Sequence, residues 1–322
     1  METVKFGKTG MQVSKLCLGC MTYGSTKWRE WVLEEEASRP FIREALEKGI
    51  NFFDTADVYS RWFPGNKGGE SETIIGRWMK VRKNRDKIII ATKVGGDMGQ
   101  GKKDLSAAYI LKAVEDSLSR LQTDYIDLYQ SHYDDPATPV EETLEAYSKL
   151  VKQGKVRVIG ASNFTPERLL QSLEASKQSG YPVYQTLQPL YNLYDREVFE
   201  RELQPICIEH GIGVIPYYSL ASGFLTGKYR SDKDLGKSAR GGGNKKYLND
   251  RGFRILDALD AVAVQFKSTP ASVAIAWLQT RPSVVAPIAS ATGADQLNAL
   301  ISAAQLRLDA NSIGLLNNAS EW

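Results

Sequence analysis

The sequence predicts a (β/α)8 barrel. Eight apolar, strand-like runs alternate with helix-like segments along the chain, and eight such units in about this length are the signature of a closed parallel barrel. No Pro/Gly-rich linker and no shift in composition divides the 322 residues, so residues 1–322 are read as a single domain. The ends of the eight runs, taken in order, are Met21, Asp54, Lys93, His132, Ser162-Asn163, Gln188, Tyr217 and Ser290. That set is largely polar while the run interiors are apolar. A doubly wound sheet is the competing fold. It needs a glycine-rich phosphate loop after its first strand. Leu18-Gly19-Cys20-Met21-Thr22-Tyr23-Gly24 lacks that spacing, and the glycine cluster Gly95 to Gly101 follows the third run with the wrong spacing.

The elements follow in order. Val4 to Gly7 and Met11 to Ser14 flank Lys8-Thr9-Gly10 and read as a short β-hairpin. The barrel strands are expected over 15–19, 50–54, 87–93, 125–131, 156–160, 186–188, 213–217 and 284–288. Helices are expected over 35–48, stopped by Gly49, and over 70–81. A third spans 106–121 with Ser106 as N-cap, and a fourth spans 140–153, stopped by Gly154. Thr165-Pro166 and Thr269-Pro270 each place an N-cap before a proline at the first helical position, opening helices over 165–178 and 269–280. Helices over 199–210 and 293–304 complete the series. Two further helices, 251–266 and 309–319, stand outside the repeat, where a barrel packs them on its outside or over one end. Residues 28–36 read as an insertion between the first strand and its helix. Residues 222–250 form a long loop rich in Gly, Lys and Arg, of a length that is either functional or disordered.

Composition narrows the partners. Hydrophobic residues make up 42% and charged residues 25%, ordinary for a globular protein with a sizeable core. The net charge of +3 is too small to argue for nucleic acid or an anionic membrane surface. The loop Ser238 to Lys246 is basic, but no aromatic ladder or recognition helix accompanies it. No apolar run reaches the ~18 residues of a membrane span. The N-terminus lacks the apolar core of a signal peptide, so a cytoplasmic protein is expected. Three cysteines fit a reducing compartment. Cys17 and Cys20 have C-x-x-C spacing, yet side chains three apart on a strand face opposite ways and no second pair follows. They read as two small buried side chains, and no metal site is expected.

Barrel active sites form at the C-terminal ends of the strands. Asp54, Lys93 and His132 end three successive strands there, and Tyr59 follows Asp54 by five residues. Any one of them alone is explained by an ion pair or a satisfied core histidine. Together they describe one pocket. A tyrosine phenol titrates near ~10, and a neighbouring ammonium is expected to lower that value. A carboxylate beside the lysine holds it charged and oriented. A histidine donates to a carbonyl oxygen or shares the proton. Such a group polarises a carbonyl and protonates the alkoxide. It has no obvious nucleophile and too few histidines for zinc. The missing component is a hydride source, for which a nicotinamide cofactor is the natural partner.

These residues sit in recognisable motifs: Asp54-Thr55-Ala56-Asp57-Val58-Tyr59, Thr92-Lys93, His132, Gly160-Ala161-Ser162-Asn163-Phe164, Gln188 with Tyr191-Asn192, and Ser222 to Tyr229. With them the whole chain resembles the aldo-keto reductase superfamily. The resemblance implies Tyr59 as general acid, Lys93 as the group lowering its pKa, Asp54 as the partner of Lys93, and His132 as the group orienting the carbonyl. It also implies a cofactor site. Ser162, Asn163 and Gln188 take the carboxamide and Tyr217 stacks on the nicotinamide. Leu220, Ser222 and Lys228 hold the pyrophosphate, and Cys20 and Met21 line the ribose. After the eighth strand, Ser290, Thr292 and Gln296 can hydrogen-bond near the adenosine, but Ala299 and Leu300 stand where many relatives carry Glu and Asn. No local cation is present there for the 2′-phosphate, and Arg240 with Lys228 supplies the charge instead. NADP(H) is therefore expected, with NAD(H) as the alternative. The loop 238–246 is read either as a flap over the cofactor phosphates or as a solvated disordered loop.

Tyr23, Trp28, Trp62, Phe63, Tyr133 and Phe224 lie in or beside strand-end loops and suggest an aromatic wall for a small aldehyde, ketone or sugar ring. Two functions suit the complete tetrad. One is an NADP(H)-dependent oxidoreductase for a carbonyl or alcohol. The other is a cofactor-binding redox sensor with little turnover, since the chain is similar also to the potassium-channel β-subunits.

Overall fold

The computed structural model describes residues 1–322. An antiparallel hairpin opens the chain, with β1 (Thr3–Lys5) paired to β2 (Gln12–Ser14) in the register Val4 to Val13. Then β3 (Cys17–Gly19), α1 (Glu35–Glu47), β4 (Phe52–Asp54), α2 (Glu70–Arg82), β5 (Ile89–Val94), α3 (Ala107–Leu121), β6 (Ile126–Ser131), α4 (Val140–Lys152), β7 (Val156–Ser162), α5 (Pro166–Ser179) and β8 (Thr186–Gln188) alternate. A π turn at Phe199–Leu203 leads into α6 (Gln204–His210), followed by β9 (Gly213–Val214). The chain ends with α7 (Asp250–Gln265), α8 (Pro270–Gln279), β10 (Ile288–Ala289), α9 (Ala294–Gln305) and α10 (Ala310–Ala319).

β3 to β10 form one parallel sheet in the order β10-β3-β4-β5-β6-β7-β8-β9. Residues 283–288 close it into a ring: Val214 N–H donates to Ser283 O at 2.8 Å, Val285 N–H to Val214 O at 2.8 Å, and Ile288 N–H to Pro216 O at 2.9 Å. The fold is the expected (β/α)8 barrel with its N-terminal hairpin. Each strand lies within or across its predicted window, and the caps are as read. Ser106, Thr165 and Thr269 each accept a backbone N–H from the third residue beyond. α10 lies against α7 outside the ring, where Gln265 donates to its N-cap Asp309 at 2.9 Å. Trp277 Nε1 donates to Asn317 Oδ1 at 2.9 Å on the same face.

Two apolar cores follow from the period-two alternation of the strands. Outward residues such as Leu18, Phe53, Ile90 and Tyr129 meet the helices. Inward residues Cys17, Phe52, Ala91, Leu128 and Ile215 form a lower layer that the hairpin plugs with Phe6 and Val13. The Phe6 and Phe52 rings meet edge to face at 5.1 Å, and burying such a ring contributes ~1.5–3 kcal/mol. One step up from Phe52, Ala91 and Leu128 on the same inward faces lie Asp54, Lys93 and Gln130. The hairpin therefore seals the bottom, and the polar layer sits above an apolar floor.

The long loop departs from the disordered reading. It folds as three 3₁₀ segments, Ala221–Thr226, Asp232–Lys237 and Gly241–Tyr247. Phe224, Leu225, Tyr229 and Tyr247 are buried, and Phe224 stacks on Tyr247 at 5.1 Å. The anchoring aromatics outweigh the polar composition around them. No helix is long and apolar enough to cross a membrane.

Candidate active site

Lys93 is the hub of the site. Its side chain is fully buried, and its ammonium donates to Asp54 Oδ1 at 2.6 Å, Thr55 O at 2.9 Å and the Tyr59 hydroxyl at 2.9 Å. Those three acceptors use all three ammonium protons. The adjacent registry of β4 and β5 brings Asp54 and Lys93 together, and the loop after β4 returns Tyr59 to them. The second oxygen of Asp54 accepts from Gln188 Nε2 at 2.9 Å and from Gln130 Nε2 at 3.2 Å. The carboxylate is thus paired and fully solvated by protein.

Gln130 was not singled out by the sequence reading. Its signal is present in hindsight: it faces Lys93 in the β5–β6 register and follows Leu128 by two. A Cβ at Gly160 on β7 would lie 3.2 Å from Gln130 Cγ and 2.2 Å from Thr186 Oγ1, so glycine leaves the space the glutamine uses. Gln188, expected as a carboxamide ligand, is committed through its amide nitrogen to Asp54 and, at 3.3 Å, to Gln130 Oε1.

His132 completes the group. Its ring packs edge-on to Tyr59 at 6.1 Å and is stacked by Tyr133 at 4.4 Å. Burial, then the Lys93 and Lys103 ammoniums, hold the imidazole well below its ordinary pKa, so it is neutral. Its Nδ1 is buried without a partner. The Tyr59 phenol departs from expectation. Burial pushes it well above its ordinary value, and the Asp54 carboxylate adds to that push. The sequence showed the lysine that opposes this shift but not the depth of burial that exceeds it. The phenol therefore keeps its proton at neutral pH.

The expected cofactor residues line the same rim. Ser162 Oγ donates to Gln188 O at 2.9 Å; Asn163 Nδ2 reaches His132 O and Ser162 Oγ at 3.0 Å, and Tyr217 donates to Asn163 Oδ1 at 2.8 Å. Asn163 adopts φ 56°, a left-handed conformation that directs its amide into this network. Beyond it the backbone turns through positive φ at Ala221, Ser222 and Gly223, after Leu220. A Cβ at Gly223 would stand 3.6 Å from Lys228 Nζ, so the lysine lies over this turn. Ser290 Oγ donates to Gly19 O at 2.6 Å, and Gln296 Oε1 accepts the Thr292 N–H at 2.8 Å beside the start of α9. Met21 packs against the small apolar cluster of Ala56, Val58 and Tyr59. Cys20 does not offer its side chain. It is fully buried, its thiol donates to Leu18 O at 3.4 Å, and its N–H and C=O bond Asp54 O and Ser71 Oγ. Arg240 lies with its guanidinium 3.6 Å over Trp31, and one of its nitrogens is buried without a partner.

These donors suit a dinucleotide. Amide and hydroxyl groups lie near the Tyr59 end, a positive-φ turn under Lys228 suits a pyrophosphate, and an orphaned guanidinium nitrogen awaits an anion. A parallel barrel carrying a proton-bearing tyrosine on a buried Lys–Asp pair defines an oxidoreductase. The chain belongs to the aldo/keto reductase family, whose model matches residues 15–321. It is 34% identical to the uncharacterized oxidoreductase YrpG of Bacillus subtilis, over 99% of this chain and 95% of that protein. It is 33% identical to the versiconal hemiacetal acetate reductase of Aspergillus parasiticus, over 98% and 96%, and 34% identical to the aldo-keto reductase YhdN of Bacillus subtilis, over 93% and 88%. The family generally uses NAD(P)H for carbonyl reduction.

Proposed function

We propose that the chain acts as one catalytic domain, in the cytoplasm, reducing the carbonyl group of a small aldehyde, ketone or sugar with NADPH. The observation that carries this reading is the single ammonium of Lys93 held against both Asp54 and the Tyr59 hydroxyl, at 2.6 and 2.9 Å. Bound at the rim, the nicotinamide supplies the hydride. Tyr59 donates its proton to the carbonyl oxygen as charge develops there. The neutral His132 donates a second hydrogen bond to that oxygen. Lys93 stabilises the phenolate left behind, and Asp54 keeps Lys93 charged and fixed. Gln130 and Gln188 hold Asp54 in turn, which keeps the carboxylate from turning towards the substrate. In the reverse direction the same phenolate takes the proton of an alcohol.

Ser162 and Asn163, with Tyr217 beside them, would hold the carboxamide end, and Leu220, Ser222 and Lys228 would hold the pyrophosphate. Ser290, Thr292 and Gln296 would meet the adenosine. NADPH is favoured over NADH because the Arg240 guanidinium, stacked on Trp31 with one nitrogen lacking a partner, would take the 2′-phosphate in addition to the pyrophosphate that Lys228 would hold. The test compares kcat/KM for NADPH and NADH with an aldehyde panel that includes sugars. Turnover with NADPH preferred at least roughly tenfold is expected, as a net charge-assisted contact gives. A preference for NADH refutes the nucleotide assignment, and absence of turnover with every carbonyl refutes the reductase.

A further inference from the structure

One oxygen of Asp54 meets Lys93, and the other meets two amides. Gln188 Nε2 donates to Asp54 Oδ2 at 2.9 Å, and Gln130 Nε2 donates to the same oxygen at 3.2 Å. Gln188 Nε2 also reaches Gln130 Oε1 at 3.3 Å. The three side chains close a ring drawn from β4, β6 and β8. Only one orientation of the Gln130 amide serves it, because an ionised carboxylate accepts and never donates.

Gln130 is placed there against the grain of its surroundings. It is fully buried, and two residues before it on the same face Leu128 belongs to the apolar floor. An apolar side chain of similar volume would fill the space without desolvating an amide. The neighbouring strand makes the room. Gly160 pairs with Gln130 on one side and with Thr186 on the other, and a Cβ on it would stand 3.2 Å from Gln130 Cγ and 2.2 Å from Thr186 Oγ1. Glycine inside a strand gives up packing for such a close approach.

The amide acts on the carboxylate in two ways. A carboxylate without the clamp is free to turn both oxygens to its ammonium. Held at Oδ2, Asp54 meets Lys93 through Oδ1 alone at 2.6 Å, which leaves ammonium protons for Thr55 O and the Tyr59 hydroxyl, both at 2.9 Å. The two neutral donors also take up part of the carboxylate's charge, which weakens its field at Tyr59.

We infer that Gln130 is a positioning residue for the proton donor: it fixes Asp54 through Oδ2, so that the Lys93 ammonium stays shared between Asp54 and Tyr59. The inference rests on the reading of Tyr59 as proton donor and adds to the tetrad a fully buried residue that works through Asp54. The titratable groups around Tyr59 are Asp54 on β4, Lys93 on β5, His132 and Tyr133 after β6, and Cys17 and Cys20 at β3. None of them is altered when Gln130 is replaced, so a change in the phenol reports the clamp.

The experiment compares Gln130 with Gln130→Met, which keeps the length of the side chain and removes its donor, and with Gln130→Glu, which sets a second carboxylate against Asp54. Difluorotyrosine at position 59, whose ring fluorines make the phenol more acidic, is titrated by fluorine NMR in each cofactor-free protein. Gln130→Met moves the midpoint up by about half to one pH unit, a fraction of what one hydrogen bond to a charge is worth. Gln130→Glu moves it further, by like-charge repulsion. In proteins with the natural Tyr59, Gln130→Met lowers kcat/KM for aldehyde reduction and alcohol oxidation together, by roughly two- to threefold, because proton transfer follows only part of a pKa change. The affinity for NADPH stays within about twofold, since Gln130 is reached only through Asp54. A midpoint that stays in place in both variants, whatever happens to their stability, overturns the inference and leaves the reductase reading standing. No turnover of any carbonyl by the wild type overturns both. If Gln130→Met does not fold, the midpoint of Gln130→Glu decides the outcome.

Discussion

Replacing Lys93 with methionine keeps the apolar stem of the side chain and removes only its charge. Asp54 is then left 2% exposed, with two neutral amide donors on one oxygen and nothing on the other. Breaking a buried pair by removing one partner costs about 3–5 kcal/mol, because the remaining charge stays desolvated. Here the cost falls in the upper part of that range, since Lys93 also bonds Thr55 O and Tyr59. Removing both charges in Asp54→Asn/Lys93→Met eliminates the stranded carboxylate. The double variant is therefore more stable than the sum of the single costs allows, by about 1–3 kcal/mol of coupling. Urea unfolding of the cofactor-free protein, followed by tryptophan fluorescence and far-ultraviolet circular dichroism, reads all four corners of the cycle. A Lys93→Met cost below about 1 kcal/mol, or single costs that simply add, would refute the buried-pair argument.

Two further predictions concern protons. Asp57 is 1% exposed and both its oxygens lack partners. Burial, then the neighbouring Glu72 carboxylate, raise its pKa well above the ordinary range, with Arg120 opposing. A raised folded-state pKa means stability that is present below the unfolded value near ~3.8 and is lost as pH rises through the folded value. Asp57→Asn removes that loss. It is expected to exceed the wild type by about 1 kcal/mol or more at pH 8, with the gap closing towards pH 4 in denaturation series. A gap that does not change with pH contradicts the assignment. Tyr59 has the same sign at the alkaline end: its contribution to stability is intact below ~10 and is lost above it. A near-ultraviolet difference titration of wild type against Tyr59→Phe, without cofactor, should show this phenol ionising above the ordinary tyrosine range. Ionisation near neutral pH would show that Lys93 outweighs burial.

The barrel and the tetrad were legible because each has a local signature. Ser106, Thr165-Pro166 and Thr269-Pro270 announce helix starts through groups that satisfy backbone N–H donors. Asp54, Lys93 and His132 stand out because apolar strands end on them. What stayed hidden depends on three-dimensional neighbours. Gln130 looks like an ordinary polar residue until the β5–β6 register sets it opposite Lys93. Gln188 matched a cofactor motif, but only the closed ring shows that its amide serves Asp54. The segment 222–250 has the composition of a solvated loop, yet Tyr229 and Tyr247 bury themselves and fold it. Cys20 sits at the right strand end, and its thiol turns back to Leu18. The raised Tyr59 pKa is hidden for the same reason: a charge is visible in a sequence, while desolvation is not.

The central claim is that Tyr59, set on Lys93, is the proton donor of a carbonyl reductase. Its most direct test is Tyr59→Phe, which deletes one hydroxyl and keeps the ring against Trp62 and His132. The expected result is a fall in kcat for aldehyde reduction of roughly 10²- to 10⁴-fold, with the affinity for NADPH in a fluorescence titration unchanged. Tyr59→Phe turning over at the wild-type rate would contradict the claim.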